Sequence, residues 1–145
     1  GYDTVTWRQD SSGVTNWYLG DNQGSVKNLV SNTGVLTGTL AYSGFGVVTA
    51  NTGNTDRYQY TSREWDSVLS LQYSRARLYD PTTARWLAED TKGFNAGDAN
   101  LYRYVGNNAT NATDPSGLID LEWDDFGQFG QTGKNLLRGA KNRLR

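Results

Sequence analysis

Glycine recurs through the first third of the chain at positions 13, 24, 34 and 44, beside the turn-forming residues Ser12, Gln23, Thr33 and Ser43. Spacings of eleven, ten and ten residues suit short strands joined by tight reversals. Between the glycines lie β-prone runs: Trp17-Tyr18-Leu19, residues 25–30 and residues 35–42. The repetition predicts a meander in which each hairpin stacks on the last. Residues 47–56, Val-Val-Thr-Ala-Asn-Thr-Gly-Asn-Thr-Asp, read as a polar loop separating two sheet portions.

The second portion carries residues 57–61, 71–79 and 100–105, which read as strands with alternating faces. On that reading Leu71, Tyr73, Arg75, Arg77 and Tyr79 share one face, as do Tyr102 and Tyr104. Such stripes are expected to pack across strands, with guanidinium groups stacked on rings. Seventeen glycines against two prolines, with an abundance of Thr, Asn, Ser and Tyr, point to an all-β class. At 145 residues and 36% apolar content, one small domain with a modest core is expected.

Composition also narrows the chemistry. The net charge of −1 carries no basic surplus, so no nucleic-acid partner is expected. Cys, His and Met are absent. Disulfides, zinc, copper and haem sites, and Ser-His-Asp or Cys-His nucleophiles all lose their usual ligands or members. The Asp and Asn loops have no EF-hand spacing, and neither a metal nor a cofactor is expected. Any catalysis falls to Asp, Glu, Lys, Tyr, Ser or Thr. No apolar run approaches the roughly 20 residues of a membrane span. Opening at Gly1 without any Met, the chain is expected to be a piece of a longer product.

The pattern breaks after residue 118. Asp120, Glu122, Asp124 and Asp125 surround Trp123, and Leu137, Ala140, Lys141 and Leu144 fall at helical spacing near the C-terminus. A short basic amphipathic helix is predicted there. Just before the break, Asp114-Pro115-Ser116-Gly117 has the preferences of a type I turn. That reversal would bring the Leu118-Ile119 peptide near the Asp114 carboxylate or near an acid of the sheet. Asp90 and Asp98 are the leading second acids, with Glu89 weaker. Two carboxylates held a few ångströms apart share one proton, so one polarises a carbonyl while the other activates water. Against this stands the plain reading that Asp-Pro-x-Gly is a common turn and that Asp90 and Asp98 cap loops.

Several further motifs occur in a fixed order. They are Asp21-Asn22-Gln23-Gly24-Ser25-Val26, Tyr42-Ser43-Gly44-Phe45-Gly46, residues 57–66, Tyr73-Ser74-Arg75-Ala76-Arg77-Leu78-Tyr79-Asp80-Pro81, Arg85-Trp86-Leu87-Ala88-Glu89-Asp90 and residues 100–108. With Asp114-Pro115-Ser116-Gly117-Leu118 they make residues 17–118 resemble the RHS repeat-associated core domain of YD-repeat shell proteins, found in Rhs proteins and Tc toxin C subunits. Thr91 and Ala109 stand where that family usually has proline, and Ser70 and Ala84 where glycine is common.

The resemblance implies an antiparallel ribbon of tyrosine-rich YD-repeat hairpins that plugs a hollow shell and cuts its own chain. On that basis residues 1–118 form the core and 119–145 a variable segment, the start of an effector or a tail. The scissile bond is implied to be Leu118-Ile119, Asp90 and Asp114 the catalytic acids, Asp98 a helper, and Arg85 a stabiliser of developing negative charge. Pro115 and Gly117 shape the turn. Implied partners are the rest of the chain's own shell and the downstream effector segment, with self-assembly into a homo-oligomer a further expectation. The implied location is secreted or on a bacterial cell surface, exported within a larger protein. The rival reading is a non-catalytic structural or self-assembling β-module, and a weaker one is glycan binding through Tyr and Trp faces.

Overall fold

The computed structural model describes residues 4–118, and the predicted C-terminal helix lies outside them. The chain is all-β, with two antiparallel sheets. The first contains β1 (Trp7–Gln9), β2 (Thr15–Gly20), β3 (Val26–Ser31), β4 (Leu36–Tyr42) and β5 (Val48–Thr52), paired in sequence order. The second contains β6 (Glu64–Asp66), β7 (Leu71–Ser74), β8 (Arg77–Asp80) and β9 (Arg85–Trp86), also in sequence order. No helix among the described residues is long and apolar enough to cross a membrane.

One turn design builds the first sheet. The carbonyls of Asp10, Asp21, Ser31 and Ser43 each accept the N–H of a glycine three residues on, at 2.9–3.1 Å. The N–H of each of those residues donates to the carbonyl four residues on, at 2.8–3.0 Å. Asp21 Oδ1 also accepts the N–H groups of Gln23 and Ser25, and Asp10, Ser31 and Ser43 brace their turns in the same manner. Asp and Ser favour this position because their side chains mimic a further backbone acceptor, and the closing residue needs positive φ. Gly13, Gly24, Gly34 and Gly46 supply it.

The fourth turn therefore closes at Gly46, not at the expected Gly44. With φ +91, Gly46 also lies so close to Tyr60 that a Cβ there would fall 2.5 Å from Cδ1 of the ring.

Three sequence expectations change. Residues 48–52 form edge strand β5 on β4 where a loop was expected. Its side chains are mostly exposed on both faces, so no apolar alternation advertised it. Residues 71–79 do not form one strand, since the chain reverses at Arg75-Ala76 and Ser74 pairs with Arg77. The reversal leaves Tyr73 exposed and buries Arg77 and Tyr79 beside Gln72 and Ser74. Residues 57–61 and 100–105 are not regular strands either. Each makes only an isolated bridge, Tyr58 with Glu64 and Arg103 with Arg85, before a short 3-10 turn with positive φ at Thr61 or at Val105 and Gly106.

Tyrosine unites the two sheets. Tyr79, Trp86 and Tyr104 are almost wholly buried and meet with ring centroids 4.3–5.5 Å apart. Tyr60, Val105 and Ala109 complete this core, and Tyr42, Phe45 and Ala112 pack against it. The hydroxyls find carbonyls in the first sheet and its last turns: Tyr79 donates to Phe45 at 2.9 Å, Tyr60 to Gly44 at 3.0 Å, and Tyr42 to Val26 at 2.8 Å. Tyr60 and Tyr79 thus bury their rings while tying their polar tips to the turn after β4, which leucine could not do. A second cluster of Tyr18, Val26 and Leu29 lies within the first sheet, with Val5 and Tyr58 against it.

Candidate functional site

Arg77 organises the region around the final turn, and sequence reasoning had treated it only as part of a stripe. It is buried, and its guanidinium stacks 4.3 Å from the centroid of the Trp86 ring. Nη2 lies 2.8 Å from Asp90 Oδ2 and 3.7 Å from Asp114 Oδ2. Nη1 donates to the Leu101 carbonyl at 3.2 Å, and Nε donates to the Gly117 carbonyl. Burial pushes the guanidinium below its ordinary value, and the charges of Asp90 and Asp114 oppose that shift. A buried cation in this position is tolerable because two carboxylates and two carbonyls surround it.

The structure brings together Asp90, Asp98 and Asp114, all buried. They line a small cavity of about 20 Å³ together with Arg77, Trp86 and Arg103. That volume accommodates a single water molecule. Asp90 arrives on the loop after β9, where its N–H donates to the Leu101 carbonyl at 3.1 Å and its Oδ1 accepts the Lys92 N–H at 2.8 Å. Asp98 is held by Arg103, whose Nε donates to Oδ2 at 2.8 Å, and accepts the Asn100 N–H at 2.8 Å. The bond from Arg103 holds the Asp98 carboxyl below its ordinary value, against the opposing effect of burial.

Asp114 faces its own turn. Its Oδ1 accepts from Ser116 N at 3.1 Å, Ser116 Oγ at 2.9 Å, Gly117 N at 2.8 Å and Leu118 N at 3.3 Å. Gly117 has φ +71, and a Cβ there would lie 2.6 Å from the Ser74 carbonyl, so only glycine lets the turn dock on the β7–β8 hairpin. Pro115 opens the turn, and its carbonyl accepts a bond from Arg63 Nη1 at 3.3 Å.

Two expectations about this site need restating. Asp90 and Asp114 share a guanidinium where the sequence suggested a shared proton, since Arg77 reaches both. Arg85 is outside the cluster: its side chain is exposed, and its guanidinium lies 5.7 Å from the Tyr102 ring centroid. On a two-residue strand, Arg85 and Trp86 point to opposite faces, and Trp86 takes the inward one. Glu89 is also exposed and accepts the Tyr102 hydroxyl at 3.0 Å. Leu118 is the last described residue, and Ile119 lies outside the described region. No group of three or more acids that could hold a metal occurs among the described residues.

No family model matches the chain. Toxin subunit YenC2 of Yersinia entomophaga is 41% identical over 68 residues, which are 47% of this chain and 7% of that protein. The crystal structure of TcdB2-TccC3 superposes with a TM-score of 0.69 at 27% identity, covering 73% of this chain and 5% of the other. A Tc holotoxin pore structure from Photorhabdus luminescens gives 0.68 at 26% identity over 74% of this chain and 5% of the other. The chain thus spans less than a tenth of the length of each of these proteins. In sequence and in fold alike, it is similar to Tc/Rhs-type toxin subunits.

Proposed function

We propose that the chain is the C-terminal core of a YD-repeat shell protein, which seals its shell and hydrolyses its own Leu118-Ile119 bond once. One observation carries the reading: the Leu118 N–H is held by Asp114, in the same buried cluster that contains Asp90, Arg77 and the water-sized cavity. In the proposed step Asp90 takes a proton from a water in that cavity as the water oxygen bonds to the Leu118 carbonyl carbon. The C–N bond then breaks, and the same proton passes to the departing Ile119 amine. Arg77 offsets the negative charge that accumulates beside Asp90. Asp114 anchors the substrate backbone, and Asp98 forms the far wall of the cavity.

The partners on this reading are the rest of the shell and the segment after Leu118, and the parent protein is exported from a bacterium. Mass spectrometry of the fully denatured chain tests it. A fragment ending at Leu118 is expected in the wild type and should be absent in Asp90→Asn. A chain that stays whole after prolonged incubation rejects the cleavage.

A separate observation favours a packing role as the second reading. Trp7, Trp17, Val30 and Leu36 stand opposite one another across β1 to β4, and Trp7, Trp17 and Leu36 are exposed. Such a row suits burial against further repeats or another copy. Sedimentation of the wild type against Trp17→Ser measures whether it drives association.

A further inference from the structure

The residues before the proposed scissile bond are held through their backbone, each by a different donor. Arg63 Nη1 reaches the Pro115 carbonyl at 3.3 Å. The Ala76 N–H reaches the Ser116 carbonyl at 3.2 Å. Arg77 Nε reaches the Gly117 carbonyl. The Leu118 N–H is then taken up by Asp114 Oδ1 at 3.3 Å and by Ser116 Oγ at 3.0 Å. Three successive carbonyls and the following N–H are thus fixed by the β7–β8 hairpin, by Arg63 and by the turn itself.

We infer that Arg77 and Arg63 set the register of self-cleavage, choosing the bond by gripping the main chain upstream of it. The inference rests on the proposed cleavage and names the groups that select its site. A backbone grip recognises position along the chain, because every residue presents the same carbonyl. The two arginines add direction: Arg77 comes from β8 and Arg63 from the residue before β6, and they grip carbonyls two residues apart. Sliding the segment by one residue would put non-glycine φ at the position that Gly117 occupies at +71 and would drive a Cβ into the Ser74 carbonyl. Each of the three held carbonyls belongs to a residue upstream of the bond, so the sequence beyond Leu118 is free to differ without moving the cut.

The full chain tests this by time-resolved mass spectrometry in denaturant, with thermal unfolding recorded in parallel. Arg77→Gln and Arg77→Lys remove the grip on Gly117, and Arg63→Gln removes that on Pro115. One charged hydrogen bond lost from the positioned segment should slow cleavage about tenfold to a hundredfold. Arg77→Lys, which keeps the charge without the fork, should not restore the wild-type rate. Cuts at bonds beside Leu118-Ile119 should accompany the slowing, a readout that loss of stability alone would not produce. Leu121→Ser and Trp123→Ser, beyond the bond, should cleave at the wild-type position within about twofold.

Should Arg77→Gln fail to fold, Arg63→Gln carries the test through its bond to the Pro115 carbonyl. A wild type that cleaves at Leu118 while Arg63→Gln and both Arg77 variants keep its rate and position overturns the inference and leaves the cleavage reading standing. A wild type that never cleaves overturns both.

Discussion

Asp114 joins Leu118 to Arg77: its Oδ1 accepts the Leu118 N–H at 3.3 Å, while its Oδ2 lies 3.7 Å from Arg77. One buried carboxylate therefore ties the final turn to the buried Arg77 guanidinium. Asp114→Ala removes both links and leaves Arg77 with one acid fewer inside the protein. Breaking a buried pair costs about 3–5 kcal/mol, and loss of the turn's acceptor adds to it. The urea midpoint should fall accordingly, and cleavage should fall with it. A variant with wild-type stability would show that the cap is dispensable.

Asp90→Asn should separate chemistry from folding. Its Oδ1 still accepts the Lys92 N–H, and the residue keeps its shape in the cavity wall. Removal of a general base typically costs 10²–10⁴-fold in rate. Cleavage should drop by about that factor while the fold, followed by near-ultraviolet dichroism of the Tyr79, Trp86 and Tyr104 cluster, stays native. Equal losses of signal and of cleavage would instead assign Asp90 to architecture.

Asp98 makes stability depend on acidity. Hydrogen bonding from Arg103, aided by the Asn100 N–H and opposed by burial, lowers its folded-state value. A carboxyl lowered on folding stabilises the fold above its unfolded value of about 3.9, and that contribution disappears as pH falls through the folded value. Denaturant midpoints measured from pH 6 down to pH 2 should therefore drop below about pH 4. The drop should be shallower in Asp98→Asn, which has no such proton to gain. Parallel curves for the two chains would mean that other groups govern acid unfolding.

Much of the first sheet is legible in the chain because its information is local. Each turn needs a side-chain acceptor and, three residues later, a glycine, and both stand in the sequence. The exception is instructive: the ten-residue rhythm points to Gly44, but residue 41 is Ala and offers no side-chain acceptor, whereas Ser43 stands three residues before Gly46 and closes the turn there. Strand β5 escaped because a strand exposed on both faces carries no alternation. The site was half legible. Asp90, Asp98 and Asp114 announced themselves as acids near a turn, but Arg77 did not. Its role depends on a reversal at Arg75-Ala76 that contains no glycine, where Arg75 adopts φ +57. An uninterrupted run of alternating residues hid the hairpin and with it the cation. The resemblance alone assigns Arg85 a charge-stabilising role, and inward packing of Trp86 turns Arg85 outward.

The same backbone signature makes two stabilising substitutions available. Ser70 and Ala84 both hold φ +57, at the ends of turns braced by Asp66 and Asp80. The left-handed conformation costs a residue with a Cβ about 1–2 kcal/mol, and glycine returns roughly half of that gain through its greater freedom when unfolded. Ser70→Gly and Ala84→Gly should each stabilise by about 0.5–1 kcal/mol. The two sites lie on different turns, so the effects should add. Thermal and urea unfolding of the single and double variants measure this, and a destabilised Ala84→Gly would show that its methyl packs more favourably than its backbone strain costs.

Gly46 is the converse case, because there glycine answers to a neighbour as well as to φ. A methyl group at position 46 would sit 2.5 Å from Cδ1 and 2.7 Å from Cγ of Tyr60. The ring cannot withdraw freely, since its hydroxyl is bonded to the Gly44 carbonyl at 3.0 Å and it lies in the core with Tyr79 and Tyr104. Overpacking of about 1–3 kcal/mol and left-handed strain of about 1–2 kcal/mol predict a loss of about 3–4 kcal/mol for Gly46→Ala. A double-mutant cycle with Tyr60→Leu separates the two contributions. The smaller side chain should relieve the clash and leave the strain, so the double variant should be more stable than the sum of the single losses by about 1–2 kcal/mol. Strict additivity would place the whole cost of Gly46→Ala in the backbone and leave the Tyr60 ring without a part in it.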